Sequence, residues 1–230
     1  MSTTPTERCT KCSLSIGEVK SCSRCKGPNA AKYCSKECQK AHWAIHKPIC
    51  KPYRTDEVWG IKILYNDAVP GSDVHDGDVS KRFQHVLLKT SHAIFKKGEM
   101  CPVPGKIGVP LVIWSEALMG TGLRAPENQA AVYLRIEPHN AFAPIHWQMN
   151  GAGDCLILRR DKRPLTRETI EVVFKFCAKM INGADYPESD GWAPIGELAT
   201  PAAFQMFSRD YYAQQKAKGR EGFDRFFVPL

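Results

Sequence analysis

The chain has no long hydrophobic run. Its longest apolar stretch, VPLVIW at 109–114, covers six residues, where about 20 are needed to cross a bilayer as a helix. Residues 1–8, MSTTPTER, lack the apolar core of an export signal, so an intracellular protein of the nucleus or the cytoplasm is expected. No GxSxG, HExxH, P-loop or deaminase motif occurs, which leaves the common hydrolytic and nucleotide-using chemistries without their usual signatures. Carboxylates are scarce at the start: residues 1–53 hold ten Lys or Arg against three Asp or Glu, a net of +7 out of +8 for all 230 residues.

Cysteine is what the start has in plenty. Seven of the ten cysteines, Cys9, Cys12, Cys22, Cys25, Cys34, Cys38 and Cys50, lie within the first fifty residues. A reducing compartment argues against a disulfide framework and for metal binding. The array reads CTKC (9–12), CSRC (22–25), CSKEC (34–38) and HKPIC (46–50). A CxxC pair converges two thiolates from a tight turn, and a four-residue step places two ligands one above the other on a helix. Eight ligands fill two tetrahedral sites with no position left for water or substrate, so the metal is expected to be structural zinc, two Zn2+ in all. Two dications and seven thiolates also reduce the segment's charge from +7 to +4, which weakens the case for nucleic-acid binding.

Ser35 is placed to cap a helix running from about Ser35 to Ile45 or His46, and Pro48 to end it. His42 lies one turn after Cys38, and spacing alone lets it compete with His46; His46 is favoured because HxxxC repeats the step of CxxxC. Spacing also leaves open whether the four pairs are used sequentially or interleaved. A C2H2 finger built from Cys22, Cys25, His42 and His46 fits poorly, with sixteen residues where about twelve are usual.

The order CxxC, CxxC, YCSxxCQ, W, HKxxC over residues 9–50 resembles the MYND-type zinc finger. The resemblance implies interleaved sites, with Cys9, Cys12, Cys34 and Cys38 on one zinc and Cys22, Cys25, His46 and Cys50 on the other. It further implies an adaptor that holds proline-containing peptides of the PxLxP kind, contacted by a glutamine and a tryptophan whose matching positions are Gln39 and Trp43. Proteins are then the expected partners, rather than nucleic acid or membrane. Some relatives place this finger within a lysine methyltransferase SET domain, but the NHxCxPN-like and GEEL-like stretches of those enzymes have no counterpart here.

Beyond a disordered tail (1–8), the finger (9–50) and a short linker (51–60), residues 61–230 are expected to form an α+β domain with several strands and two C-terminal helices. EVWGIKILY, FQHVLLK, GVPLVIW, AAVYLRIEP and CLILRR have the branched, aromatic composition of strands. LTRETIEVVFKFCAKMING, with Thr166 as cap and Gly183 as stop, and TPAAFQMFSRDYYAQQKAKG, with Thr200 as cap and Pro201 at the first position, read as helices. NDAVPGSDVHDGDV reads as a solvated loop and RRDKR as a turn. His139, His146 and Cys155 gather around EPHNAFAPIHWQMNGAG, the one stretch there that could hint at nucleophilic chemistry. Several of these stretches resemble a C-terminal region found beside this finger in many fungal proteins of unassigned function, which supplies no activity. No catalytic residue is expected.

Overall fold

The computed structural model describes residues 9–12, 14, 19–25, 30–47, 50, 56–68, 79–120, 124–182 and 195–223. The expected tail at 1–8, Pro48 and Gly183 lie outside them. The finger opens with two short strands, β1 (Lys20–Ser21) and β2 (Lys32–Tyr33), paired antiparallel with Lys20 opposite Tyr33. Two helical segments follow, α1 (Lys36–Ala41) and α2 (Trp43–His46). Ser35 caps α1, its side chain accepting from the Cys38 amide. The expected single helix is divided at His42, whose φ of −95° and ψ of −5° depart from regular helix values.

The larger unit is built on strands β3 (Glu57–Ile63), β4 (Phe83–Lys89), β5 (Glu99–Met100), β6 (Leu111–Ser115) and β7 (Cys155–Arg159). Helices α3 (Ile94–Lys97), α4 (Pro102–Lys106), α5 (Gln129–Leu134) and α6 (Ile145–Met149) fall between the strands, and α7 (Arg167–Asn182), α8 (Ile195–Leu198) and α9 (Pro201–Ala217) follow them. The strands form one antiparallel sheet in the order β4-β3-β7-β6-β5, giving an α+β fold. β3 begins at Glu57, inside the span 51–60 expected as linker, because Glu57 to Gly60 already pair with Lys89 to Val86.

Side chains alternate across this sheet as the pleat requires. Ile61, Ile63, Phe83, Leu111, Ile113, Cys155 and Ile157 enter the main core, shared with α5, α7 and α9. Val86, Leu88, Val112, Trp114, Leu156 and Leu158 form a second, smaller cluster against Ile94 and Phe95 of α3.

AAVYLRIEP is not a strand: Gln129–Leu134 is helical. The Asn128 side chain accepts from the Ala131 amide and donates to the Ile63 and Gly153 carbonyls, so one residue caps the helix and ties it to the sheet. Tyr133 then stacks on Phe174 of α7, ring centres 5.9 Å apart. Capping and packing thus override an apolar run that strand and helix could share.

Helix α7 carries Thr166 at its start, accepting from the Thr169 amide, and Thr200 caps α9 by accepting from Ala203. The two helices join through Phe176 against Phe204 and Phe207. Buried Glu171 accepts from both Arg220 terminal nitrogens and from the Tyr211 hydroxyl.

Candidate metal centre

Among its described residues the finger has little carbon to fold around. Its buried cluster is Cys9, Cys22, Tyr33 and Cys50, with Cys12, Cys25, Ala31, Cys34 and Cys38 packed against it. Backbone contacts position the sulfurs. The Thr10 amide donates to the Lys32 carbonyl and the Thr10 hydroxyl accepts from the Lys32 amide, tying the first CxxC to β2. The Cys22 amide donates to the Ala31 carbonyl, which holds the second CxxC at the mouth of the β1–β2 pair. Cys34 follows β2 directly, Cys38 lies on α1, and His46 ends α2.

Two groups of four result: Cys9, Cys12, Cys34 and Cys38, and Cys22, Cys25, His46 and Cys50, the donor atoms of each within 4.8 Å of one another. Within the first, Cys12 and Cys34 sulfurs are 3.3 Å apart and Cys34 and Cys38 sulfurs 3.5 Å. Within the second, Cys22 and Cys50 sulfurs are 3.7 Å apart, and the Cys25 sulfur is 3.5 Å from His46 Nε2. A tetrahedral zinc with Zn–S near 2.3 Å and Zn–N near 2.0 Å sets ligand pairs about 3.5–3.8 Å apart. The donor sets fit two structural zinc ions, one held by cysteines alone and the other by three cysteines and a histidine, and the ligands interleave along the chain.

The electrostatics fit a dication as well. Burial opposes ionisation of Cys9, but the amides of Cys12, Cys34 and Lys11 outweigh it and bring that thiol down to about 6. Cys34, facing Cys12 and Cys38, is pushed up to about 12, and Cys50 reaches about 12 through burial and its neighbour Cys22. Crowded sulfurs resist a second and third negative charge, and bound zinc removes that resistance. Burial lowers the His46 pKa, keeping its imidazole neutral and available to a metal.

A family model described as MYND finger matches residues 8–50. Residues 8–50 are a MYND finger. Fingers of this family are protein-interaction modules. SET domain-containing protein 14 of Caenorhabditis elegans is 45% identical over 47 residues, which make up 20% of this chain and 10% of that protein. The chain therefore spans about a tenth of that relative. No solved structure matches.

Around the two sites of the MYND finger, His42 stands outside both donor groups; its Nδ1 lies 2.9 Å from the Tyr33 hydroxyl. The ring of Tyr33 meets His46 edge-on at 6.2 Å. Tyr33 is the residue that ligand spacing passes over: an aromatic immediately before a ligand cysteine was the signal available. Trp43 lies beside the second site, its ring edge-on to His46 at 6.0 Å, and is 38% exposed. Gln39, one turn earlier, is half-buried.

His139, His146 and Cys155 each have different surroundings. His146 Nε2 pairs with Glu99 at 2.9 Å, His139 is exposed, and buried Cys155 directs its thiol at the Ala152 and Gly153 carbonyls. Burial raises the Cys155 pKa strongly, which makes its thiol a poor nucleophile. Glu99 also accepts from Arg135 and from Trp147 Nε1, so this stretch ties α5 and α6 to β5.

Proposed function

We propose that the protein is a non-enzymatic adaptor of the cytoplasm or nucleus, whose finger, residues 9–50, holds proline-containing, PxLxP-like segments of partner proteins on Gln39 and Trp43. Ligand roles follow the two groups: Cys9, Cys12, Cys34 and Cys38 for one zinc, Cys22, Cys25, His46 and Cys50 for the other. The unit beginning at Glu57 carries the finger. The observation behind this reading is the exposure of Trp43. An indole in contact with a zinc ligand and still exposed to solvent offers a flat apolar surface for a proline ring. The neighbouring Gln39 amide can pair with the backbone of an extended peptide. Trp43 thus steadies His46 and receives a ligand at once.

The SET domain named in the Caenorhabditis elegans relative supports no methyltransferase role, since the match is confined to the finger region. The test compares wild type with Trp43→Ala in the full-length chain, reading both zinc content and binding of a labelled PxLxP peptide. Two zincs per chain and loss of peptide binding are expected for the variant. Undiminished binding by Trp43→Ala would remove Trp43 from this function.

A further inference from the structure

The finger helix carries a cationic edge beside Trp43. Lys36, Lys40 and Lys47 are all exposed. The His42 amide bonds to the Cys38 carbonyl and the His46 amide to the His42 carbonyl, so the helical count carries across the break at His42: at about 100° per residue the three fall within roughly 60° of Trp43, on the side away from Gln39. By the same count Lys36 and Lys40 are each turned roughly 160° from Cys38 on α1, so they are not counter-charges aimed at that thiolate. The acidic side chain on these two segments is Glu37, at the start of α1, where its own backbone amide and Ser35 hold it first and Lys40 and Lys36 after them. Three cations against one anion remain next to an exposed aromatic.

Resting on the peptide-binding reading above, we propose that the finger selects acidic partners: segments whose apolar, proline-containing centre covers Trp43 while Asp or Glu residues on both sides pair with Lys36, Lys40 and Lys47. The spacing sets the pattern. Lys36 and Lys47 are eleven residues apart, about 16 Å of helix, which five or so residues of extended chain span. Those five residues are the PxLxP centre itself, so the acidic residues belong immediately outside its two prolines, one toward Lys47 and one toward Lys36 and Lys40.

Two peptides test this, identical in a PxLxP centre and differing only in acidic or glutamine flanks. Their Kd values for the zinc-loaded full-length chain are measured at about 0.05 M and about 0.5 M salt, a range over which exposed charges become screened. Three exposed pairs of ordinary strength predict roughly tenfold tighter binding of the acidic peptide at low salt and most of that advantage lost at high salt. In the triple variant K36Q/K40Q/K47Q, with two zincs retained, both peptides should bind as the glutamine peptide binds wild type. Equal binding of the two peptides to wild type at low salt overturns acidic selection and leaves the Trp43 reading standing. Failure of both to bind overturns the two together. The peptide comparison needs no variant, so it decides even if the triple variant loses zinc. Single-stranded RNA held by the same three lysines, with no flank preference among peptides, also overturns the proposal.

Discussion

Stripping the metal should unfold the finger and leave the sheet domain intact. Among the described residues the buried cluster of the finger holds four, of which Cys9, Cys22 and Cys50 are metal ligands, leaving Tyr33 as its single aromatic. Burying that ring contributes about 2 kcal/mol, whereas each structural zinc contributes on the order of 10 kcal/mol. Removing two zincs therefore takes away about ten times what the carbon core supplies. The domain core, by contrast, joins 31 buried residues among those described, from Ile61 to Phe223, none of them a zinc ligand. Titration with a strong chelator, followed by tryptophan fluorescence, limited proteolysis and calorimetry, checks this. Release of two zincs per chain should accompany cleavage within the first fifty residues, while the thermal transition of the remainder stays within about 2 °C. A finger that resisted protease after full metal release, or a domain that melted with it, would refute the argument.

Three further outcomes concern the larger domain. Arg220→Ala leaves the buried Glu171 carboxylate without its bidentate partner and should cost about 3 kcal/mol in urea unfolding; Arg220→Lys should recover part of it. His85 is held to about 4 by burial and then by nearby Arg167. Its folded pKa lies below the unfolded one, so the unfolded chain takes up the proton first and stability falls as pH drops from about 6.5 to about 4. His85→Leu should flatten the pH dependence of the melting temperature across that window. Gly151 has φ of +64°, and a Cβ there would run into the Ala125 carbonyl; Gly151→Ala should lower stability by about 2 kcal/mol or more, seen as a reduced urea midpoint.

Much of the metal centre was legible because ligand chemistry is written in residue type and spacing. Cys9 to Cys50 name their own role, and Ser35 marks the start of α1. The interleaved grouping was not fixed by spacing; it came from resemblance, and the sulfur positions agree with it. The break at His42 was invisible, since nothing in QKAHWAIH departs from helical composition. In the domain, Leu111–Ser115, Phe83–Lys89 and Cys155–Arg159 declared themselves as strands, but Gln129–Leu134 did not declare itself as a helix. Its cap, Asn128, is one residue among several that could begin or end an element, and only the reach of its amide to Ile63 and Gly153 decides the matter. The role of Glu99 was equally hidden, because its partners come from 36 to 48 positions away.

The order in which the cysteines alternate between metals has a consequence for how this module can be inherited. The first site reaches from Cys9 to Cys38 and the second from Cys22 to Cys50, so the two loops cross. A cut between Cys22 and Cys38 breaks both coordination spheres at once, and no single cut yields two pieces that each keep a metal. Half a finger is therefore not a smaller finger. Recombination, splicing or proteolysis can pass the two-zinc module on entire or break it, and a gene can shed or swap the domain behind it far more readily than it can divide the finger itself.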